Sequence, residues 1–391
     1  MEVLMSKINR RKFLKLAVSG TAGVCAGAPM INFGKYRLFP HSQGTYSDRA
    51  VELMEQATVI DALSPLSFKH LSPMSYLAKP NSFTAEDFKK YKSSGIDVFH
   101  PAIGMGNVPE KQAVLGFFSG WNSFIAEYDE FFMRIDSAED FIRLKKTDRI
   151  GIILGLQNSD HFVKLSDVKF FHSMGQRISQ LTYNVRNLIG SGSTESSDGG
   201  ISDFGVRIIT QMQRVGIAVD VSHCGDKTTL DTFEAATKPV LITHANCRAL
   251  CKGHVRCKTD EAIIKMGETG GVMGITGIRM FVRDREPTTI EHYLDHFDHV
   301  AKLIGIEHVG VGSDSDLDGY DDMPEQWQKA LRAGYKDLYR FREKIDIEGI
   351  DHPKRMYDLT EGLIRRGYSD NDIIGVIGGN FKRVLSELWA V

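Results

Sequence analysis

The sequence predicts an α/β fold, a single (β/α)8 barrel of the TIM type, on three observations. Short apolar runs alternate about eight times with segments of helical pattern, and no shift in composition divides the chain. Polar side chains able to ligate or titrate recur at the C-terminal ends of those runs, the face where such barrels gather their chemistry. The 391 residues suffice for one large core. With 42% hydrophobic and 25% charged residues the composition is that of a globular enzyme. A formal net charge of -2 and the absence of a long basic run give no footing for nucleic acid or an anionic membrane.

The chain opens with Asn9-Arg10-Arg11-Lys12-Phe13-Leu14-Lys15, followed by a weakly apolar run from Leu16 to Ala28. The paired arginines resemble a twin-arginine export signal, with Ala26-Gly27-Ala28 as its small-residue cleavage site. The run is too short and too rich in glycine for a transmembrane span. Cys25 lacks a good lipobox, so soluble release is expected rather than a lipid anchor. This reading assigns residues 1–28 to a signal, 29–50 to a linker and 51–391 to the barrel. It implies the twin-arginine machinery as a partner and a periplasmic or extracellular destination.

Tyr46 to Ala57 reads as a helix and Thr58 to Ala62 as the first barrel strand, followed by a long loop to Asn81. Thr84 to Ser94 is helical, with Thr84 as cap and Glu86 and Asp87 in the first turn. Gly95 to His100 forms the next strand, and Trp121 to Leu144 carries an amphipathic helical pattern. Arg149 to Leu156 is a strand ending in Gln157, and Ile178 to Tyr183 is another. A polar loop, Asn184 to Gly200, leads to a helix over Asp203 to Val215.

The next stretch organises the chain. Gly216 to Val221 is a strand followed by Ser222 and His223, and Pro239 to Thr243 is a strand followed at once by His244. Asp226 to Thr237 between them is long enough for a crossover helix, which makes the strands parallel and puts both imidazoles on one face. A helix over Thr259 to Thr269, a strand over Gly270 to Thr276 and a helix over Thr289 to Ile304 continue the alternation. Glu307 to Gly312 is a strand ending in Ser313 and Asp314, Asp318 to Glu343 a long acidic loop and helix, and helices follow to the end.

The residues at strand ends are therefore Asp61, Gln157, Tyr183, His223, His244 and Asp314. Two imidazoles can hold a metal ion, and a carboxylate beside it can shuttle a proton. His223 and His244 suit the first task; Asp314 suits either.

At these positions the sequence resembles the membrane (renal-type) dipeptidase family of zinc hydrolases. Leu181-Thr182-Tyr183-Asn184, Phe204-Gly205, Asp220-Val221-Ser222-His223 and Thr243-His244-Ala245-Asn246-Cys247-Arg248-Ala249 resemble family segments in order. So do Arg256 to Asp260, Gly312-Ser313-Asp314 and Gly378-Gly379-Asn380-Phe381, and the likeness runs from about Val51 to Leu388. The resemblance implies that His223 and His244 are metal ligands and that the aspartate of Gly-Ser-Asp is catalytic. It also implies that Arg256 grips a substrate carboxylate. Two extra residues make either Asp314 or Asp316 a candidate for the catalytic place, and Asp314 is preferred because it directly follows the strand.

The chain also departs from the family. Its opening Asp-Gly-His-Asn-Asp is Asp61-Ala62-Leu63-Ser64-Pro65 here, so Leu63 and Pro65 stand at two ligand positions. The bridging glutamate falls on Gln157, and the histidine that steadies the substrate on Tyr183. The expectation is one zinc or other divalent ion on His223 and His244, completed by Gln157, Asp314, Asp160 or water, with His161 and His100 as further candidates. The expected activity is that of an exported metallo-dipeptidase-like hydrolase acting on dipeptides or small amides with a free carboxylate. The alternative is a barrel that has lost peptidase activity and binds or tailors a secreted peptide-like metabolite. A third reading places a thiol site at Cys224 and Cys247, although buried thiols or one disulfide among Cys224, Cys247, Cys251 and Cys257 are preferred. Family members often pair, so a homodimer is compatible with the resemblance.

Overall fold

The computed structural model describes residues 45–64, 66–67, 73–79, 82–103 and 111–390, together with the backbone of 35–36. The signal-like segment, most of the linker and Pro65 lie outside these residues.

Parallel strands follow one another in chain order. Ile60–Asp61 pairs with Val98–Phe99, and that strand with Ile150–Ile152. One step higher, Ala102–Ile103 pairs with Gly155–Leu156, which pairs with Ile178–Gln180, and the latter with Ala218–Asp220. Ile242–Ala245 pairs with Met273–Ile275, and that strand with Val309–Val311. A parallel bridge between Asp220 and Leu241 joins the second group to the third. The Ala62 N–H donates to the Val311 carbonyl at 2.9 Å, joining the first strand to the last. This is the α/β arrangement, with parallel strands and covering helices, that the strand–helix alternation requires.

The crossover helices form where local chemistry favours them. Asp203–Val215 starts at Ser202, whose hydroxyl accepts from the Gly205 N–H, and stops at Gly216, whose φ of 85° suits a left-handed cap. Its Ile208, Ile209 and Met212 are buried, the spacing of one helical face. Asp226–Ala235, Asp260–Glu268 and Ile290–Ile304 follow the next strands as expected.

Two expectations are corrected. The segment from Trp121 to Leu144 is not one helix but the end of a helix over Lys111–Glu127, a strand over Phe132–Arg134 and a second helix over Ala138–Leu144. Phe132–Arg134 runs parallel to Ile150–Ile152, so pairing and aromatic packing override the helical period there. Ile306–His308 is a 3-10 turn rather than the start of the last strand.

The C-terminal helix Asn380–Trp389 decides which end of the sheet is open. Its Phe381, Val384, Leu385 and Leu388 pack in one apolar cluster with Ile60, Val98, Ile153, Ile178, Ala218, Leu241 and Val272, residues drawn from successive strands. That cluster fills the N-terminal side and leaves the C-terminal side for the polar strand ends.

Candidate metal centre and active site

The strand ends bring His223 and His244 together, as the sequence predicts: their Nε2 atoms are 2.9 Å apart. Glycine permits the approach from below, since a Cβ on Gly312 or Gly274 would lie 1.8 or 2.0 Å from the Thr243 carbonyl oxygen.

The hydrogen bonds around the pair fix its protons. His223 Nδ1 faces the Asn184 side-chain oxygen at 2.8 Å, an acceptor, so Nδ1 carries the hydrogen. His244 Nδ1 faces Thr243 Oγ1 at 2.8 Å. Thr243 Oγ1 spends its own hydrogen on Asp220 Oδ2 at 2.6 Å, so here too Nδ1 must be the donor. With these protons both Nε2 atoms turn lone pairs toward each other across 2.9 Å, an arrangement that a shared cation would stabilise. A proton is a poor choice near neutral pH. Burial first, then the charge of Arg256, hold both imidazoles well below their ordinary pKa, and Lys258 adds to the effect. A divalent ion that prefers nitrogen fits, and the hydrogen-bonded Nδ1 atoms are the outer support that such ligands usually have.

Two histidines do not complete a metal shell. Among the described residues no group of three or more His, Cys, Asp or Glu is placed to hold an ion. Leu63 is a fully buried apolar residue whose carbonyl accepts the Asp314 N–H at 2.9 Å, so its position supplies backbone support and no ligand. Gln157 shares a cavity with His223, Asp314 and Tyr183. Its Nε2 donates to the Ala102 carbonyl at 2.9 Å, leaving Oε1 uncommitted among the described residues.

Asp314 sits in that cavity with a φ of 56°, a left-handed conformation rare for aspartate and held by the bond to Leu63. Burial raises its carboxyl to about 7, Arg256 opposing and Asp61 adding. It can thus take and return a proton near neutral pH. Asp316 turns instead to the Ser67 N–H and hydroxyl, and Asp314 is the one of the two that lines the cavity. Asp61, a strand-end candidate, is structural. Its carboxylate accepts the Ser313 N–H at 2.8 Å and hydroxyl at 2.6 Å and pairs with buried Arg355 at 3.0 Å. It thereby anchors the turn that presents Asp314.

Tyr183 stacks on the His223 ring, with centroids 4.2 Å apart, and its hydroxyl meets that of Tyr335 at 2.6 Å. Arg256 is anchored within the fold. It is 1% exposed and lies over Phe281 at 5.3 Å. Its guanidinium donates to the Ser222 carbonyl, to the His244 carbonyl at 3.2 Å and to the Tyr339 hydroxyl at 3.2 Å. Its fork thus joins the two histidine-bearing strand ends. Lys258 helps from the same loop, donating to the carbonyls of Val221 at 2.6 Å and Cys224 at 3.0 Å.

Other candidates stay apart. His161 lies between Phe162 and Phe171 and bonds Gln176, and Asp160 accepts from Asn158 at 2.9 Å. His100 is buried in the barrel with Nδ1 donating to the Ala62 carbonyl at 2.5 Å, near enough to His244 to depress its basicity. The cysteines Cys224, Cys247, Cys251 and Cys257 are free and buried. Burial pushes the Cys224 thiol up to about 11 and Cys247 higher, which opposes the thiolate a redox or metal role there would need. Sequence reasoning missed Asn184, Thr243, Tyr335, Tyr339 and Lys258. Asn184 and Thr243 adjoin named candidates, but nothing local marks Tyr335 or Tyr339.

The profile of a family described as "Membrane dipeptidase (Peptidase family M19)" matches residues 47–340. The dipeptidase aclJ of Aspergillus oryzae is 29% identical over 245 residues, 61% of this chain and 52% of that protein. The dipeptidase verJ of Clonostachys rogersoniana is 29% identical over 249 residues, 63% of this chain and 57% of that one. The chain thus spans about half the length of the curated relatives it matches. Among solved structures, an amidohydrolase from Pseudomonas aeruginosa superposes with a TM-score of 0.75 at 28% identity, covering 88% of this chain and 99% of that one. A probable dipeptidase, PvdM, from the same organism has a TM-score of 0.67 at 20% identity over 87% of this chain and 97% of its own, a likeness of fold alone.

Proposed function

Because the chain belongs to the membrane dipeptidase family, peptidase family M19, we propose that it is a dipeptidase-like hydrolase acting with a single divalent ion on dipeptides or small amides with a free carboxylate. The observation that carries this reading is the pair of converging imidazole lone pairs beside a carboxyl that titrates near neutral pH. His223 and His244 would hold the ion, with the Gln157 amide oxygen and water at its remaining positions. An ion there supplies Lewis-acid polarisation of the substrate carbonyl. Asp314 takes the proton of the attacking water and returns it to the leaving amine. Tyr183, stacked on His223, lines the cavity and helps orient the substrate, and Arg256 keeps the two strand ends in place.

The test is metal content together with turnover of a dipeptide panel, on protein purified without chelators. The expected result is about one zinc-class ion per chain, lost together with turnover in a His223→Ala/His244→Ala variant and restored to the wild type by added metal after chelation. Absence of both metal and turnover overturns it. The second reading, a binding or tailoring barrel for a peptide-like metabolite, would then lead. One observation favours that reading: among the described residues no group of three or more His, Cys, Asp or Glu is placed to hold an ion. Export through the twin-arginine route is part of the proposal, supported by Arg10-Arg11 ahead of an apolar run. Replacing both arginines with lysine is expected to leave the protein in the cytoplasm; unchanged export would overturn that part.

A further inference from the structure

The cavity over His223 and Asp314 has a volume of about 250 Å³, smaller than the roughly 300–1,000 Å³ usual for drug-sized ligands, so it takes one small molecule. Its walls are chiefly rings: Tyr183, Phe281, Tyr320, Tyr335, Tyr339 and Phe341. Four of these come from residues 320–341, the segment between the last strand Val309–Val311 and the helix Arg355–Arg365. Tyr335 and Tyr339 pack 4.4 Å apart by centroid, with Phe341 5.5 Å from Tyr335 and Phe281 5.5 Å from Tyr339. The hydroxyls of Tyr183 and Tyr335 satisfy each other, and that of Tyr339 is engaged by Arg256, so the walls offer mainly ring surface. Among the described lining residues Asp314 is the one carboxylate, and no lysine or arginine joins it.

We propose that this aromatic cap makes the site selective for dipeptide-like substrates that carry one aromatic or large aliphatic side chain and discriminates against acidic ones. This inference rests on reading the cavity as the substrate site. An apolar side chain gains burial against the rings. An acidic one would be desolvated beside Asp314 with no lysine or arginine among the lining residues to pair with. The cap is a property of this chain's 320–341 segment and is independent of how many ions the histidines hold.

The experiment compares kcat/KM for matched dipeptides containing Phe, Leu, Ala or Asp at one position, using the metal-loaded wild type, Phe341→Ala and Phe341→Leu. Phe341 touches neither histidine nor Asp314 in the contacts above. The wild type is expected to favour Phe and Leu over Ala by at least about tenfold and to reject Asp more strongly still. Phe341→Ala is expected to cut the Phe-over-Ala ratio of kcat/KM by roughly fivefold or more, and Phe341→Leu to retain the preference for Leu. Equal rates for Phe, Ala and Asp in the wild type, or a uniform loss in Phe341→Ala, would overturn the inference. If no dipeptide is hydrolysed, the hydrolase reading fails separately, and calorimetric binding of the same peptides decides. Tighter binding of the Phe peptide than the Ala peptide by about tenfold upholds the aromatic cap; equal binding, or none, removes it.

Discussion

Replacing Arg256 with methionine separates two roles that the sequence alone cannot tell apart. Methionine keeps most of the stem volume and removes the guanidinium, so packing against Phe281 is largely retained. Three acceptors lose their donor: the carbonyls of Ser222 and His244 and the Tyr339 hydroxyl. A buried acceptor left unpaired costs about 1–3 kcal/mol. Relief of the desolvation of a buried cation offsets part of that sum. The net expectation is a loss of about 3 kcal/mol in unfolding free energy. Because the fork joins the two strand ends, metal affinity is also expected to fall by about tenfold or more. Urea unfolding of the metal-free protein and competitive chelator titration of the loaded protein measure the two quantities. Stability within about 1 kcal/mol of wild type, with a large rise in KM alone, would refute the positioning role and restore Arg256 as a carboxylate clamp.

Acid is expected to destabilise the protein between pH 6.5 and 4. Burial lowers His100, His161 and His296 from 6.5 to about 4. The unfolded chain therefore binds protons in that window that the folded one refuses, and each histidine costs about 3 kcal/mol once pH falls below 4. Urea midpoints at pH 7.5, 6 and 5 check this; a flat profile contradicts it. Asp61→Ala should cost about 3–5 kcal/mol, because it strands buried Arg355 and frees Ser313, and a thermal melt would show it. Gln157→Glu adds a carboxylate in the cavity of His223 and should tighten divalent-metal binding by at least about tenfold; unchanged affinity would place Gln157 outside the metal's reach.

Much of the fold was legible because its signals are local. Helix caps at Thr84, Ser202 and Thr259 and the apolar runs between them mark strand and helix within a few residues. The segment Phe132–Arg134 was not legible, since its strand state depends on pairing with Ile150–Ile152 in a different part of the chain. Cap residues Tyr335 and Tyr339 were equally hidden: an aromatic residue in a long acidic loop looks the same whether it faces solvent or a cavity.

The sequence by itself determined most of the strands, that His223 and His244 end two neighbouring parallel strands, and that Asp314 follows the last one. Strand ends are set by local pattern, and a βαβ unit has one handed way to pack, so these placements follow without tertiary information. Only the tertiary structure decided what the remaining charges do. Asp61 meets Ser313 and Arg355 across 252 and 294 residues of chain, and Arg256 meets Ser222 and His244 across a loop whose course no periodicity encodes. Contacts of this kind surround both imidazoles, bond a conspicuous arginine to two strand ends, and bring rings to the cavity wall. Most are contacts between residues far apart in the chain, made possible only when the strands have come together.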